Sequence, residues 1–441
     1  MHIAVIGAGA AGLSAAWLLS RRHRVTLIEK DDRLGGHAHT AELGARGGPR
    51  VDTGFIVYNE PCYPNFTAWM AELGVATEAS DMSFAVSRDD GRFEYAGGPP
   101  LGMLAQPGLV LRPRYWRMLR DLVRFYREAA DDIPPDSTVT LGAYLNERGY
   151  SREFLEDHLL PFGAAIWSTS QSTMLDYPAA AFIRFCDNHG LLRLTGRPQW
   201  RTVSQGSLSY VTAVRAALEA AGSRIRTDFH VSRVERRPDR VSVHSRDGDT
   251  VDADHVVFAS HADQTLACLD APDTQERALL SPFAYEANLA ILHTDIRFLP
   301  KRRRAWCSWN YVERSGPDPS RVSVSYWLNR LQNLPGDTDY IVTLNPSEPP
   351  DPARILRSQR YEHPIFTAET WQAQQRLWRL QGKRRSWYCG SYFGAGFHED
   401  AVQSGLAVAE QLGGLSRPWT LALPSSRIVV TATDGAEDIA A

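Results

Sequence analysis

The sequence predicts an α/β fold that opens on a parallel sheet, and three observations carry that prediction. A short apolar run, HIAVI at 2–6, suits a strand buried on both faces. A glycine-rich turn and a helical run, LSAAWLLSRR at 13–22, follow it. A second apolar run, VTLIE at 25–29, then ends in an acid. Strand, turn, helix and strand within thirty residues is the βαβ opening of a Rossmann-like dinucleotide-binding unit.

The turn itself reads GAGAAG at 7–12, placing Gly7, Gly9 and Gly12 in the pattern GxGxxG. Gly7 permits the tight turn, Gly9 and the neighbouring Ala11 let backbone N–H groups approach a pyrophosphate, and Gly12 lets helix and strand pack closely. The positive end of the helix dipole points at the same phosphates. Glu29, 22 residues after Gly7, is placed to accept both ribose hydroxyls and to repel a 2′-phosphate, with Lys30 beside it. These features alone leave NAD and FAD both open.

Composition bounds the rest. The chain has 441 residues, 43% of them hydrophobic and 22% charged, with a net charge of −3. That length suggests two or three domains, and that charge gives no reason to expect nucleic acid. Five scattered cysteines without a CxxC pair argue against a disulfide framework or a zinc site, and fit a reducing, cytoplasmic compartment. No secretory leader or membrane-spanning run is read from the sequence.

The stretch EKDDRLGGHAH at 29–39 decides the cofactor. Arg33 precedes Gly35-Gly36 by one residue; Arg33 is suited to neutralising phosphate charge, and the glycine pair lets backbone lie against an extended dinucleotide. This resembles the second glycine motif of FAD-binding oxidoreductases in the amine oxidase and phytoene desaturase superfamily. His37 and His39 have no further ligands at a sensible spacing, so no metal is expected, and they are read as lining the pyrophosphate or flavin edge. Later stretches resemble the same superfamily. PRVDTGFIVYN at 49–59 implies flavin contacts at Gly54 and Phe55, and FHVSRVERR at 229–237 implies an adenine contact near Val231. DHVVFASHADQTL at 254–266 resembles the strand and turn that close over the dinucleotide. WYCGSYFGAGFHEDAVQSGLAVAEQL at 387–412 is similar to the last flavin motif, implying contacts at Gly390, Ser391, His398 and Val402. The implied architecture is amine oxidase-like: a discontinuous Rossmann-like FAD-binding domain from 1–80, 200–270 and 385–415, and a mixed sheet-plus-helix substrate domain from 81–199 and 271–384. Residues 416–441 are read as an extension and tail.

VDTGFIVYNEPCYPN, WNY at 309–311 and GSYFGAGFHEDAVQSG further resemble a group of bacterial flavin-binding proteins in this superfamily, often encoded near cyclopropane-fatty-acid synthases. That resemblance implies acyl-lipid chemistry. A weaker likeness in layout links the chain to FAD-dependent polyunsaturated fatty acid isomerases. Amine oxidases of the superfamily usually place a lysine beside the flavin from a substrate-domain strand. Here no lysine lies between Lys30 and Lys301, and the matching strand, FAYEANLAILHTD, offers Glu286 or Asn288. The reading therefore turns toward hydride abstraction from a fatty-acyl chain, giving desaturation or isomerisation, with an amine oxidase and a non-catalytic flavoprotein as alternatives. Tyr58, after the Asp-x-Gly turn, and His398, at the start of the last helix, are the candidate catalytic residues. Arg117, Arg120, Arg124 and Arg127 form one face of the run 111–128 and, with Lys301–Arg304, suit peripheral contact with an anionic membrane; an ordinary surface helix packed on the core is the competing reading.

Overall fold

The computed structural model describes residues 1–44, 47–97, 101–134, 137–167, 171–313 and 324–431. Its first layer is a five-stranded sheet, wholly parallel, in the order Arg224–Arg226, Arg24–Ile28, His2–Ile6, His255–Phe258, Ser386–Tyr388. The two apolar runs at the N-terminus form its centre, where both faces are covered and continuous hydrophobicity is what a strand needs.

The first helix is Ala10–Leu19, three residues earlier than the helical run suggested, because the glycine turn itself supplies its first turn. All ten of its residues are buried. An alanine-rich helix of this kind is apolar all round because it is covered all round: the sheet lies on one side and the final helix, His398–Gly413, on the other. Glycine is compulsory at two of these contacts. A Cβ on Gly12 would lie 1.8 Å from the Gly7 carbonyl oxygen, and one on Gly405 would lie 2.3 Å from both the Ala11 carbonyl oxygen and Ser14 Oγ.

A small antiparallel sheet (Val231–Arg236, Val241–Ser245, Thr250–Ala253) leads into the fourth parallel strand, and the helix Ala262–Cys268 leaves it. A second layer is a seven-stranded sheet in the order Ile355–Pro364, Tyr285–His293, Ile341–Leu344, Val324–Trp327, Trp309–Val312, Phe84–Arg88, Phe93–Gly97. Its pairs are antiparallel except Trp309–Val312 with Phe84–Arg88. The edge strand Ile355–Pro364 has no counterpart in the sequence reading. Its run ILRSQRYEHP is charged and half of its residues are exposed, as an unpaired edge allows.

The chain folds as the two-part, mixed α/β architecture expected, with a separate hydrophobic core for each part. One core joins the parallel sheet to its flanking helices; the other joins the seven-stranded sheet to helices such as Pro113–Asp132. That helix buries Tyr115, Met118, Leu122, Phe125 and Ala129, so its apolar side is core packing. The run FLEDHLLPFGAAIW at 154–167, which reads as a helix from its apolar residues, lies on a helix (Arg152–Phe154), a π-helical turn (Leu155–Leu159) and a second helix (Leu160–Trp167). The start of RVSVSYWL at 321–323 and the tail 432–441 lie outside the described residues.

Candidate active site

Between the parallel sheet and the edge of the seven-stranded sheet lies a cavity of about 770 Å³, within the size range of cofactor sites. Three features on the parallel-sheet side fit a dinucleotide. The helix Ala10–Leu19 starts at Gly9 without any side chain capping its first N–H groups, so a phosphate can accept them. A Cβ on Gly9 would meet no protein atom within 4 Å, although Gly9 lines the cavity. Glu29 is buried with one carboxylate oxygen 2.7 Å from the Ala8 nitrogen and the other 3.1 Å from that of Asp31. Burial raises its pKa and these N–H donors oppose the rise.

Twelve of the residues expected to hold the cofactor or its neighbours line this cavity. Gly7, Gly9, Ala11, Glu29 and Lys30 come from the first βαβ unit, Arg33, Gly36 and His37 from the loop after it, and Val231, Gly390, Ser391 and His398 from later in the chain. The expectation for Arg33 needs correction in one respect. Its guanidinium donates to the Gly36 carbonyl at 2.9 Å and the Ala38 carbonyl at 3.4 Å, so it pins the glycine loop as well as bringing charge to the cavity.

The other expected residues do not line the cavity. Gly12 and Val402 sit in helix packing, Val402 fully buried. Gly35, at φ +112°, donates its N–H to the Ala8 carbonyl at 2.8 Å and so shapes the loop. Gly54 passes so close to His37 that a Cβ would lie 2.1 Å from its carbonyl oxygen, which accepts the Phe55 N–H at 2.8 Å. The Phe55 ring stacks on His398, with centroids 3.8 Å apart and planes 5° apart. These two therefore hold cavity residues in place and stand behind them. Tyr58 is buried against Tyr63 and Phe66, away from the cavity, and does not support a catalytic reading. His398 does line the cavity, yet its Nε2 is 2.7 Å from the Tyr210 hydroxyl, and burial holds its pKa at about 3, so its ring is neutral.

Residues the sequence reading passed over gather around His37. His363, Tyr361 and His261 have ring centroids 5.3, 5.1 and 6.5 Å from it. Tyr361 and His363 alternate on one face of the edge strand Ile355–Pro364, and His261 stacks on Tyr285 at 4.1 Å. The Tyr361 hydroxyl lies 2.7 Å from Thr53 Oγ1 and 3.1 Å from His39 Nδ1, which places His39 behind the cavity wall. Desolvation holds His363 and His261 at about 4, and His37 well below the usual imidazole value. The signal for this group was the RYEHP run at 360–364, an alternation that its charged setting hid. Among the described residues no group of three His, Cys, Asp or Glu side chains is placed to hold a metal ion, and all five cysteines are buried and free.

A cradle that fits a dinucleotide thus faces a second sheet across the cavity, the arrangement of a dinucleotide-dependent oxidoreductase. The sequence model of the family "Flavin containing amine oxidoreductase" matches residues 10–413, and the chain belongs to that family, whose cofactor is FAD. It is 25% identical over 384 residues to a phytoene dehydrogenase of Streptomyces griseus, covering 76% of this chain and 65% of that one. It is 32% identical over 170 residues to a coproporphyrinogen III oxidase of Propionibacterium freudenreichii subsp. freudenreichii, covering 35% of this chain. The chain thus spans 65% and 30% of the lengths of these two relatives. Among solved structures it is similar to a fatty acid isomerase from P. acnes that produces CLA, with a TM-score of 0.65, 18% identity, and 91% and 96% of the two chains covered. It is also similar to putrescine oxidase bound to putrescine, with a TM-score of 0.65, 14% identity, and 93% and 99% covered.

Two predictions follow from this geometry. A Cβ at position 9 meets no protein atom within 4 Å, so Gly9→Val projects its side chain into the cavity that a bound dinucleotide would fill. The variant is expected to melt within a degree or two of the flavin-free wild type and to bind FAD at least tenfold more weakly, as read by thermal melting and flavin fluorescence titration. The second concerns pH. His37, His39, His158, His189, His261, His293, His363 and His398 all have pKa values lowered chiefly by burial. Below about pH 6.5 the unfolded chain binds protons that these folded rings exclude, so folding stability is complete above that pH and is lost toward pH 4. Glu29, Asp52 (raised to about 6) and Glu399 act in the opposite sense but are outnumbered. The melting temperature should therefore fall steadily from pH 6.5 to 4.5; a rise over that window would contradict it.

Proposed function

We propose that this chain is an FAD-dependent oxidoreductase acting on a fatty-acyl or phospholipid-acyl chain by hydride transfer, giving desaturation or double-bond isomerisation. The observation that carries the reading is the neutral wall around His37. Four imidazoles with depressed pKa values and the phenols of Tyr285 and Tyr361 face the cavity. These rings resist charging, with Arg360 and Glu362 of the same edge strand beside them, and such a surface suits an uncharged chain whose C–H bond must be brought to the cofactor without water. The strand Tyr285–His293 carries no lysine, offering Glu286 and buried Asn288 instead; Lys30 lies beside Glu29 on the opposite side of the cavity, while Lys301 pairs with Asp90 and Lys383 donates to Gln275, both at the surface. The fatty acid isomerase and phytoene dehydrogenase likenesses point the same way.

Bound FAD supplies the acceptor for hydrogen and both electrons of the broken C–H bond. With that acceptor bound, the substrate would either lose a proton from the neighbouring carbon, giving a desaturation, or take the hydride back at a different carbon, giving an isomerisation. The chain's own residues orient the substrate and exclude water; Phe397, stacked on Phe185 at 4.5 Å, closes the aromatic side of the cavity. An anaerobic titration of flavin-loaded protein with unsaturated and cyclopropane-containing phospholipids is expected to bleach the oxidised flavin band. An amine panel should leave it unchanged; bleaching by amines alone would favour the amine oxidase instead.

Peripheral contact with an anionic membrane belongs to the same reading, though its support has moved along the chain. On the helix Pro113–Asp132, Arg117 pairs with Glu153, Arg120 with Asp121, and Arg124 lies over Tyr150, so the expected basic face is largely spent. Just before and at its start, Leu101, Leu104, Val110, Leu111 and Trp116 are exposed, Leu111 by 84%. Residues 101–120 carry no acid, and of their four arginines Arg112 alone has no ion pair among the described residues. The Trp116 indole donates to the Val110 carbonyl at 2.8 Å, which holds these segments together. No helix among the described residues is long and apolar enough to cross a membrane, so contact would be from one side. Sedimentation with phosphatidylglycerol vesicles, absent with phosphatidylcholine alone and cut at least fivefold by the pair Leu111→Asp and Trp116→Asp, is the expected result.

A further inference from the structure

Asn288 is buried on the strand Tyr285–His293, and its side chain belongs to a chain of hydrogen bonds that ends in the cavity. The order of donors along it is fixed by backbone. Asn345 follows the strand Ile341–Leu344 with φ +45°, a left-handed conformation that asparagine tolerates better than most residues. Its Oδ1 accepts the Leu289 N–H at 2.8 Å, so that atom is an oxygen and the other terminal atom a nitrogen. The Asn345 Nδ2 therefore donates to Asn288 Oδ1, at 2.6 Å. Asn288 then turns its Nδ2 outward, donating to the Glu286 carbonyl at 3.2 Å and to His363 Nδ1 at 3.0 Å. A carbonyl cannot donate, so the Asn288 orientation is fixed twice over.

The consequence falls on His363, which lines the cavity. With Nδ1 accepting, the single proton of the neutral ring must sit on Nε2. We propose that His363 is a fixed hydrogen-bond donor of this site, held in the Nε2–H form by the Asn345–Asn288 relay and offering that N–H to an unprotonated oxygen or nitrogen acceptor in the cavity. Asn288 and Asn345 are positioning residues. The acceptor is an atom of the flavin ring or an oxygen of the substrate's carboxyl or ester group, and the chemistry is the same for both. The relay stands whether or not the substrate is an acyl chain.

The groups packed around His363 leave the donor form in place. His37 and His261 on the cavity side, and His398 beyond them, are themselves kept neutral by burial. Tyr361 and Tyr285 have raised phenol pKa values. Glu362 is the neighbour on its own strand and lies 3.4 Å from His261, and Glu286 is its cross-strand partner with an exposed side chain. Desolvation adds to the same effect by lowering the His363 pKa to about 4.

The test uses flavin-loaded protein with 15N-labelled histidine. In wild type the His363 signal, assigned by its loss in His363→Gln, should show Nε2 protonated and Nδ1 bare, unchanged from pH 6 to 8. Asn288→Asp replaces the donor with an acceptor, and should move the proton to Nδ1 or make the ring titrate within that range. His363→Leu removes the donor, whereas His363→Gln keeps an N–H close to the Nε2 position. If the acceptor is on the flavin, the reduction potential measured against a reference dye should shift in His363→Leu and be restored in His363→Gln. If it is on the substrate, the potential should hold, while binding of an unsaturated fatty acid weakens about tenfold in His363→Leu and recovers in His363→Gln. A wild-type ring protonated at Nδ1, no response to Asn288→Asp, or identical potentials and binding in the leucine and glutamine variants would each overturn the proposal. Failure of lipids to bleach the flavin leaves the tautomer and potential measurements standing, so the two failures are distinguishable.

Discussion

The backbone-to-backbone approach of the first and last helices is the contact on which the rest of the structure depends. Gly405 lets the helix His398–Gly413 lie against the Ala11 carbonyl and Ser14, and Gly12 lets the first helix lie against the turn at Gly7. Any Cβ at these points would fall well inside contact distance, and overpacking of that size displaces helices. Because both helices are held this closely, their N-terminal ends arrive at one cavity from chain positions nearly four hundred residues apart. The cradle for a dinucleotide and the placement of His398 have the same origin.

The final helix also shows how burial is reconciled with charge. Glu399 is fully buried at its start, accepting N–H groups from Asn65 at 3.0 Å and Phe66 at 2.9 Å and a bond from Gln403 at 2.9 Å. Asp400 accepts the Phe397 N–H at 2.8 Å and pairs with Arg427 at 2.6 Å. A buried carboxylate is tolerated only when donors replace its water, and here those donors come from the segment after Tyr63 and from the C-terminal extension. The extension that begins at 416 is therefore structural over its first part: Arg417 and Arg427 tie it to Asn65, Glu410 and Asp400. Asp52 joins the two cores in a similar way, accepting from Thr40 and Ser207 on one side and from Gln332 on the other.

The cavity joins these two economies. Its parallel-sheet side is built from backbone N–H groups, glycines and the fixed carboxylate of Glu29, with Lys30 and Arg33 beside them, while its opposite side carries rings that burial keeps uncharged, next to Arg360 and Glu362. A lysine on the strand Tyr285–His293 would bring a titrating amine to that wall; the asparagine found there spends its donors on a carbonyl and on His363.

What the sequence by itself determined was local. GxGxxG, the acid at Glu29 and the glycine pair after Arg33 were legible because each depends on φ, ψ or chemistry within a few residues of chain, and the final flavin motif was legible as a resemblance of the same local kind. Their meeting in one cavity, together with Val231, is a tertiary fact. Tyr58, Gly54 and Phe55 were misjudged in role because proximity in sequence to a motif does not say which way a side chain faces; packing turned Tyr58 into the core and set Gly54 and Phe55 behind His37 and His398. Beyond the alternation in RYEHP at 360–364, the imidazole cluster and the Asn345–Asn288–His363 relay left no mark in the sequence. They join residues on separate strands and a loop, and only the register of the seven-stranded sheet, pairing Glu286 with His363 and Ala290 with Leu344, brings them within hydrogen-bonding distance.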